Sequence, residues 1–141
     1  LPILRGKGEI LFVDDEKPLV IYSKEILEYQ GYSVEAQTSS IKALDLFLAD
    51  PDRYNLVITD QTMPDLTGFD LAARIHKVRP DIPIVLCTGF SSPGTEEMTM
   101  ANGIRLFVKK PIGPRQLAEI ANQILSNPAD KENANGRRIN R

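Results

Sequence analysis

Five short apolar runs alternate with helix-like stretches along this chain of 141 residues, and this alternation constrains the fold more strongly than any other feature. Continuous runs of β-branched and aliphatic residues are typical of strands buried on both faces of a parallel sheet. Strict alternation of strands with helices implies right-handed crossovers and helices on both faces of the sheet. We therefore expect an α/β fold, a doubly wound three-layer sandwich with five helices. Its five strands are predicted at residues 9–13, 32–36, 55–59, 84–88 and 105–109.

The first helical stretch is marked at both ends. Pro18 suits the opening turn of a helix, and Gly31 suits the residue just beyond its end. Between them apolar side chains recur at three- and four-residue spacing, which predicts an amphipathic helix. Its buried face is predicted to consist of Leu19, Tyr22, Ile26 and Tyr29.

The remaining helices are predicted from similar signals. Ser40 is expected to cap the second helix, and Pro80 stops the third. Pro83 is placed at the beginning of the fourth strand, because proline cannot donate a hydrogen bond inside a central ladder. The fourth helix, over residues 92–102, has poor apolar spacing and is the weakest of the five. The last helix carries a regular stripe made of Leu117, Ile120, Ala121 and Ile124.

The domain boundaries follow from composition. Residues 1–8 contain one proline and two glycines and are expected to be a linker. Residues 9–125 hold all the predicted elements, and residues 126–141 carry few apolar side chains, so we expect a disordered tail there. Because the chain opens on Leu1 instead of Met, we expect it to be a fragment or a trimmed product.

Charge and cysteine content exclude several classes of protein. The chain has 17 basic and 19 acidic residues, without the basic excess of a nucleic-acid surface. No apolar run approaches the roughly 20 residues that cross a bilayer. A lone cysteine, Cys87, excludes an intrachain disulfide and fits a reducing compartment. We therefore expect a cytoplasmic domain that contacts neither nucleic acid nor membrane, although a parent protein with a membrane anchor stays open.

Polar and charged residues follow four of the five predicted strands. Asp14 and Asp15 come after the first strand, Asp60 after the third, Thr88 ends the fourth, and Lys110 follows the fifth. Taken singly, each is an ordinary turn, cap or surface residue. However, the carboxyl ends of parallel strands meet at one edge of the sheet, where ligands of such folds bind. The sequence therefore predicts one shared site.

These residue types suit phosphoryl transfer. Three carboxylates in one pocket repel each other unless a cation or bound protons compensate them, and Mg²⁺ prefers oxygen ligands of this kind. A lysine holds phosphate oxygens as a point charge, and a threonine hydroxyl donates one more hydrogen bond. A carboxylate can itself be the nucleophile that becomes an aspartyl-phosphate. The pattern favours metal-assisted chemistry on an aspartate.

Four motifs occur in order along residues 9–125. They are Val13-Asp14-Asp15-Glu16, Thr59-Asp60 with Met63-Pro64 and Gly68, Cys87-Thr88-Gly89, and Val108-Lys109-Lys110-Pro111. With these motifs the chain resembles the receiver domain of two-component response regulators. The resemblance implies a flavodoxin-like sheet with strand order 2-1-3-4-5.

The resemblance also implies a role for each site residue. Asp60 is the expected phosphoacceptor, supplied by the phosphohistidine of a histidine kinase or a histidine phosphotransfer domain. The expected ligands of Mg²⁺, or of Mn²⁺, are Asp14, Asp15, Asp60 and the backbone carbonyl of Thr62. Thr88 and Lys110 are expected to bind the phosphoryl oxygens.

Further positions are implied to switch or tune the site. Phe107, three residues before Lys110, is expected to swing into the space that Thr88 leaves when it moves toward the phosphoryl group. The peptide bond before Pro111 is expected to be cis. Access to the phosphoryl group and its lifetime are expected to depend on Thr62, Gly89 and Phe90. The output surface, and a possible homodimer contact, is expected on helix four, strand five and helix five.

The sequence leaves two alternative parent proteins and two alternative functions for the chain. The segments 6–9 and 87–91 are similar to receivers at the carboxyl end of hybrid sensor histidine kinases, so we favour that parent enzyme over a free-standing single-domain regulator. The chain itself would carry only phosphorylation and dephosphorylation of its own aspartate. A dehalogenase-like phosphatase needs a second Asp two residues after its nucleophile, and Asp14 is followed by Glu16 at that position. A flavodoxin-like cofactor module is disfavoured because acidic residues repel a cofactor phosphate.

Two single residues are predicted to have no chemical role. His76 is expected on the exposed face of the third helix, and Cys87 is expected to be an inert core residue.

Overall fold

The computed structural model describes residues 7–89 and 95–125. Strands and helices alternate throughout, which confirms the predicted α/β architecture. The elements are β1 (Glu9–Val13), α1 (Lys17–Tyr29), β2 (Ser33–Gln37), α2 (Ser40–Ala49), β3 (Leu56–Asp60), α3 (Gly68–Val78), β4 (Ile84–Thr88), α4 (Thr95–Ala101), β5 (Leu106–Lys109) and α5 (Pro114–Leu125).

All neighbouring strands pair in parallel, and the sheet has the order β2-β1-β3-β4-β5. This is the predicted order. The register places Asp60 opposite Cys87 and Thr88 opposite Lys109. Because the strands run in one direction, the chain emerges from β1, β3, β4 and β5 at the same edge.

Each face of the sheet has its own core. Along β1, Ile10 and Phe12 pack with α1 and α5, whereas Leu11 and Val13 pack with α2 and α3. Side chains alternate between the two faces of a strand, so a strand covered on both sides must be apolar at every position. This explains why the strands appear in the sequence as continuous apolar runs.

The buried face of α1 differs from the prediction. The structure buries Val20, Ser23 and Leu27, whereas Tyr22 and Tyr29 are 41% and 58% exposed. The predicted and the observed buried residues both have helical spacing, and the two sets are shifted by one position along the chain. Spacing alone does not choose between them, because the choice depends on how α1 sits against the sheet and α5.

Several element boundaries also differ from the prediction, among them β2, which is Ser33–Gln37 instead of residues 32–36, and β5, which begins at Leu106 instead of residue 105. The hydroxyl of Ser39, not Ser40, caps α2, where it accepts a hydrogen bond from the backbone N–H of Lys42 at 3.1 Å. Strand β3 continues to Asp60, so the acid is the last residue of the strand. The helix predicted over residues 92–102 corresponds to α4, and residues 90–94 lie outside the described part of the chain.

The prediction for His76 was wrong as well. Its ring is partly buried, and Nε2 lies 3.0 Å from the carbonyl oxygen of Ile82. His76 therefore connects the end of α3 to the segment that leads into β4.

Candidate functional site

The predicted acidic residues meet at the carboxyl edge of the sheet. Asp14 and Asp15 follow β1, and Asp60 ends β3. One carboxylate oxygen of each lies within 4.8 Å of one oxygen of the others. Asp14 and Asp60 are buried, whereas Asp15 is exposed. The cluster thus has two buried carboxylates and one that solvent reaches.

Lys110, the residue directly after β5, lies against this cluster. Its Nζ lies 2.8 Å from Oδ2 of Asp14 and 3.4 Å from Oδ1 of Asp60. The lysine is 18% exposed, so both ion pairs are largely shielded from water. Of the two adjacent lysines, it is Lys110 that the structure brings to the acids, while Lys109 is exposed.

Glu16 is a member of the site that sequence reasoning missed. Its carboxylate lies 3.7 Å from Nζ of Lys110, and its backbone N–H donates to Oδ1 of Asp14 at 2.9 Å. Asp14 therefore has a partner on each oxygen, Glu16 on one and Lys110 on the other. The signal in the sequence was the position of Glu16 directly after the acidic pair.

Electrostatics favour a bound cation. Burial raises the pKa of Asp60, and the negative charge of Asp14 raises it further, although Lys110 opposes both. For Lys110, burial lowers the pKa, but the hydrogen bond and charge of Asp14, with those of Asp60, outweigh it and leave the pKa raised. The lysine stays protonated, and its single charge does not balance the surrounding carboxylates.

The donor set fits a hard divalent ion. Three carboxylates close together supply the oxygen ligands that Mg²⁺ prefers, and Mg²⁺ usually keeps several waters beside a few carboxylates. Within the described residues, this is the group of acidic, histidine or cysteine side chains with the spacing to hold a metal ion. Thr62 lies two residues beyond Asp60, exposed in the loop to α3.

The other predicted positions lie at the end of β4 and in the segments that follow β4 and β5. Thr88 is buried at the end of β4, and its carbonyl accepts the backbone N–H of Lys110 at 2.8 Å. A Cβ added to Gly89 would lie 4.0 Å from Cβ of Lys110, so the space beside this glycine is open. The peptide bond between Lys110 and Pro111 is cis. Phe90 lies outside the described residues.

Phe107 packs away from the charged groups. It is partly buried against the core on the α2 and α3 side of the sheet, and it pairs with Leu86 across the β4–β5 register. Cys87 is buried, and burial raises the pKa of its thiol to about 12, which agrees with an inert core residue.

The loop after Asp60 is held by Gln61, whose role was not predicted. Its backbone N–H donates to the carbonyl of Cys87, and its side-chain oxygen accepts the N–H of Phe69, both at 2.9 Å. A Cβ on Gly68 would lie 2.6 Å from the carbonyl oxygen of Asp60, so glycine is required for this close approach. The strand end and the start of α3 are therefore fixed to each other.

A largely apolar cavity of about 650 Å³ opens beside Lys110. It lies between α1 and the segment that joins β5 to α5. Its apolar walls include Phe12, Pro18, Leu19, Tyr22, Ile112 and Leu117.

Over the described part of the chain, no helix has the length and apolar character needed to cross a membrane.

The chain is similar to curated response regulators. The family profile described as “Response regulator receiver domain” matches residues 10–122. The response regulator SaeR of Staphylococcus epidermidis is 30% identical over 126 residues, which cover 89% of this chain and 54% of SaeR. SaeR of Staphylococcus aureus is 31% identical over 117 residues, covering 83% and 50%. The chain spans about half the length of these relatives.

Solved structures have the same fold. A receiver domain protein from Clostridium thermocellum has a TM-score of 0.79 at 28% identity, and the match covers 84% of this chain and 94% of that one. CheY4 of Vibrio cholerae gives 0.78 at 26%, covering 84% and 99%. TrrA of Thermotoga maritima, solved in complex with Mg²⁺–BeF, gives 0.73 at 30%, covering 83% and 98%.

Proposed function

The chain belongs to the response regulator receiver family of two-component systems, and from this premise we propose that Asp60 accepts a phosphoryl group from a phosphohistidine. The observation that carries the proposal is the set of charged groups around Asp60. Two further carboxylates lie within 4.8 Å of it, and Nζ of Lys110 lies 3.4 Å from it. Such a group is suited to hold a cation and a phosphoryl group together.

In the proposed reaction a carboxylate oxygen of Asp60 attacks phosphorus. The new O–P bond forms while the bond from phosphorus to the imidazole nitrogen breaks, and that nitrogen keeps the electron pair and takes up a proton. The ammonium group of Lys110 is close enough to neutralise charge on the phosphoryl oxygens. Phosphoryl transfer depends mainly on such positioning and charge neutralisation.

We propose that Asp14, Asp15, Asp60 and the carbonyl of Thr62 hold Mg²⁺, or Mn²⁺ in its place. When bound, the ion supplies positive charge that offsets the negative charge of the carboxylates and the phosphoryl oxygens. The complex of the related TrrA with Mg²⁺–BeF supports this assignment.

We further propose that phosphorylation exchanges the partners of Lys110. In the present structure its Nζ is bonded to Asp14. A phosphoryl group on Asp60 offers new oxygens both to Lys110 and to the hydroxyl of Thr88, and Phe107 then moves into the space that Thr88 leaves. Gly89, Thr62 and Phe90 are proposed to control access to the phosphoryl group and its lifetime.

The output surface is proposed on α4, β5 and α5. Met98 and Met100 on α4 are 55% and 73% exposed. Exposed methionines adapt to different partners, so they suit a surface that binds a downstream protein or a second copy of this chain.

The phosphodonor is proposed to be a histidine kinase or a histidine phosphotransfer domain that docks at the apolar cavity beside Lys110. Tyr22 at its wall is 41% exposed, and the cavity reaches Asp14. A partner seated there would bring its phosphohistidine to the carboxyl edge of the sheet.

We propose residues 9–125 as the receiver, residues 1–8 as a linker and residues 126–141 as a disordered tail. The parent is proposed to be a hybrid sensor histidine kinase acting in the cytoplasm, with a free-standing regulator as the alternative. The gene that encodes the chain decides between them: a kinase domain upstream supports the first, and a start codon directly before Leu1 supports the second.

The phosphoacceptor is tested by intact-mass measurement after incubation with a small phosphodonor and Mg²⁺. We expect one phosphoryl adduct in the wild-type chain and none in Asp60→Asn. Asp65→Asn is the matched control, because Asp65 is an exposed acid in the same loop, and it is expected to keep the adduct. An adduct that survives Asp60→Asn contradicts the proposal, and sustained turnover of phosphate monoesters would indicate a phosphatase instead.

A further inference from the structure

Ser40 joins α2 to the loop that follows Asp60. It is the first residue of α2 and is only 2% exposed. Its hydroxyl donates to the carbonyl of Pro64 at 3.0 Å and accepts the backbone N–H of Leu66 at 3.1 Å. The hydroxyl therefore acts as donor and acceptor at once, and both partners are 24 or more positions away in sequence.

The two contacts lie on either side of a strained residue. Asp65, between Pro64 and Leu66, has a φ of +72°. This left-handed conformation is unfavourable for residues with a Cβ, and such a residue persists only when its surroundings hold it. Ser40 holds the backbone immediately before and immediately after Asp65.

The loop is thus attached at two places. Gln61 fixes its base through the hydrogen bond to Cys87 and through its carbonyl, which accepts the N–H of Gly68 at 2.9 Å. Ser40 fixes its tip at Pro64 and Leu66. Thr62 lies between these two attachments and has an exposed side chain. The direction of its backbone carbonyl therefore depends on both.

We propose that Ser40 is a positioning residue for the metal site, and this rests on the proposed function of Asp60 and Thr62. By holding the tip of the loop, its hydroxyl keeps the Thr62 carbonyl directed at the ion that Asp14, Asp15 and Asp60 bind. Helix α2, which contributes no ligand, thereby sets the affinity of the receiver for Mg²⁺.

The test compares the Mg²⁺ affinities of Ser40→Ala and Ser39→Ala. Each affinity is measured by titrating the variant with MgCl₂ and recording the NMR signals of its backbone amides. We expect Ser40→Ala to raise the Kd for Mg²⁺ about tenfold, which is the lower end of the effect of losing an indirect support of a metal ligand. Ser39→Ala is the matched control because it removes the cap of the same helix without a contact to the loop. It is expected to lower stability and leave the Kd unchanged.

Phosphorylation kinetics provide a second readout. The rate for Ser40→Ala is expected to fall at low Mg²⁺ and to return to the wild-type value at saturating Mg²⁺. The added substitution Asp65→Gly removes the left-handed strain, so Ser40→Ala with Asp65→Gly is expected to recover part of the lost affinity.

Four results separate the possibilities. A wild-type Kd in Ser40→Ala overturns the inference, and so does an equal loss of affinity in Ser39→Ala. Should Ser40→Ala fail to fold, the comparison of Asp65→Gly with Ser40→Ala plus Asp65→Gly still tests the idea: a higher Kd in the double variant supports it, and equal Kd values overturn it. Absence of Mg²⁺ binding by the wild-type chain would contradict the proposed function itself.

Discussion

At the scale of single residues, the site is a group of like charges held together by one lysine. Asp14 and Asp60 are buried, and both contact Lys110. Burying charges is unfavourable unless they are paired, and here one cation serves several carboxylates. The buried carboxylate of Asp60, which suits the site to a metal ion, therefore destabilises the protein when no ion is bound.

This conflict predicts that Asp60→Asn stabilises the metal-free protein. Burial and the charge of Asp14 raise the pKa of Asp60 above its ordinary value of 3.8, so the folded state binds the proton more tightly than the unfolded state. The ionised carboxylate consequently lowers the free energy of unfolding at neutral pH. We expect Asp60→Asn to raise the melting temperature by about 3 °C near pH 7 in the presence of a chelator.

The pH dependence of this stabilisation tests whether its cause is the charge on Asp60. As pH falls through the raised pKa toward 3.8, wild-type Asp60 takes up its proton and the penalty disappears. The difference between wild type and Asp60→Asn should therefore shrink in acid. Asp45→Asn, at an exposed position of α2, is the control and should show no gain. A gain that persists unchanged in acid would contradict an electrostatic origin.

At the scale of elements, the junction of β3 and α3 determines the geometry around Asp60. Gly68 allows α3 to begin directly against the strand end. Thr67 and Asp70 form a reciprocal capping box at the same helix start. Together, the capping box and the glycine fix the position at which the loop from β3 joins α3. They therefore also determine the space available to the tip of this loop.

Substitution of Gly68 by alanine tests this junction. The added Cβ would lie 2.5 Å from Cδ1 of Leu86 and 2.6 Å from the carbonyl oxygen of Asp60. The leucine can move, but the backbone oxygen is fixed by the sheet. We expect Gly68→Ala to lower the free energy of unfolding by about 2 to 3 kcal/mol, measured by urea denaturation. Gly113→Ala is the control, since nothing lies within 4 Å of its added Cβ, and an equal loss there would contradict the steric explanation.

At the scale of the whole molecule, the site and the proposed output surface lie on different elements. The proposed metal ligands are at the ends of β1 and β3. Thr88 belongs to β4, Phe107 to β5 and Lys110 to the segment after β5. The parallel register connects them, because Thr88 pairs with Lys109 and Leu86 pairs with Phe107. A movement of Thr88 therefore affects β5 directly.

Hydrogen exchange with and without Mg²⁺ and beryllofluoride tests the proposed switch. We expect the phosphoryl analogue to change amide protection in α4 and β5 while leaving that of α2 unchanged beyond its first turn. Asp60→Asn with the same additions is the control and should show no change. Equal protection of α4 and β5 in both conditions would contradict a switch at this surface.

Much of the architecture follows from the sequence alone. A strand covered on both faces must be apolar throughout, and continuous apolar runs separated by helical spacing leave few alternatives to a doubly wound sheet. Because parallel strands end at one edge, the sequence predicts one shared site for the acids at the ends of β1 and β3 and the lysine after β5. Local pattern and topology were sufficient for this.

Other features depended on the tertiary structure. The bond between Lys110 and Asp14 joins residues 96 positions apart, and the contacts of Ser40 with the loop span 24 and 26 positions. The buried face of α1 was decided by its packing against its neighbours, because two stripes of side chains had equivalent spacing. Helical and strand periods report only local geometry, whereas pairings between distant segments depend on how the elements pack. The sequence by itself therefore determined which groups reach the site, and the tertiary structure decided which of them contact each other.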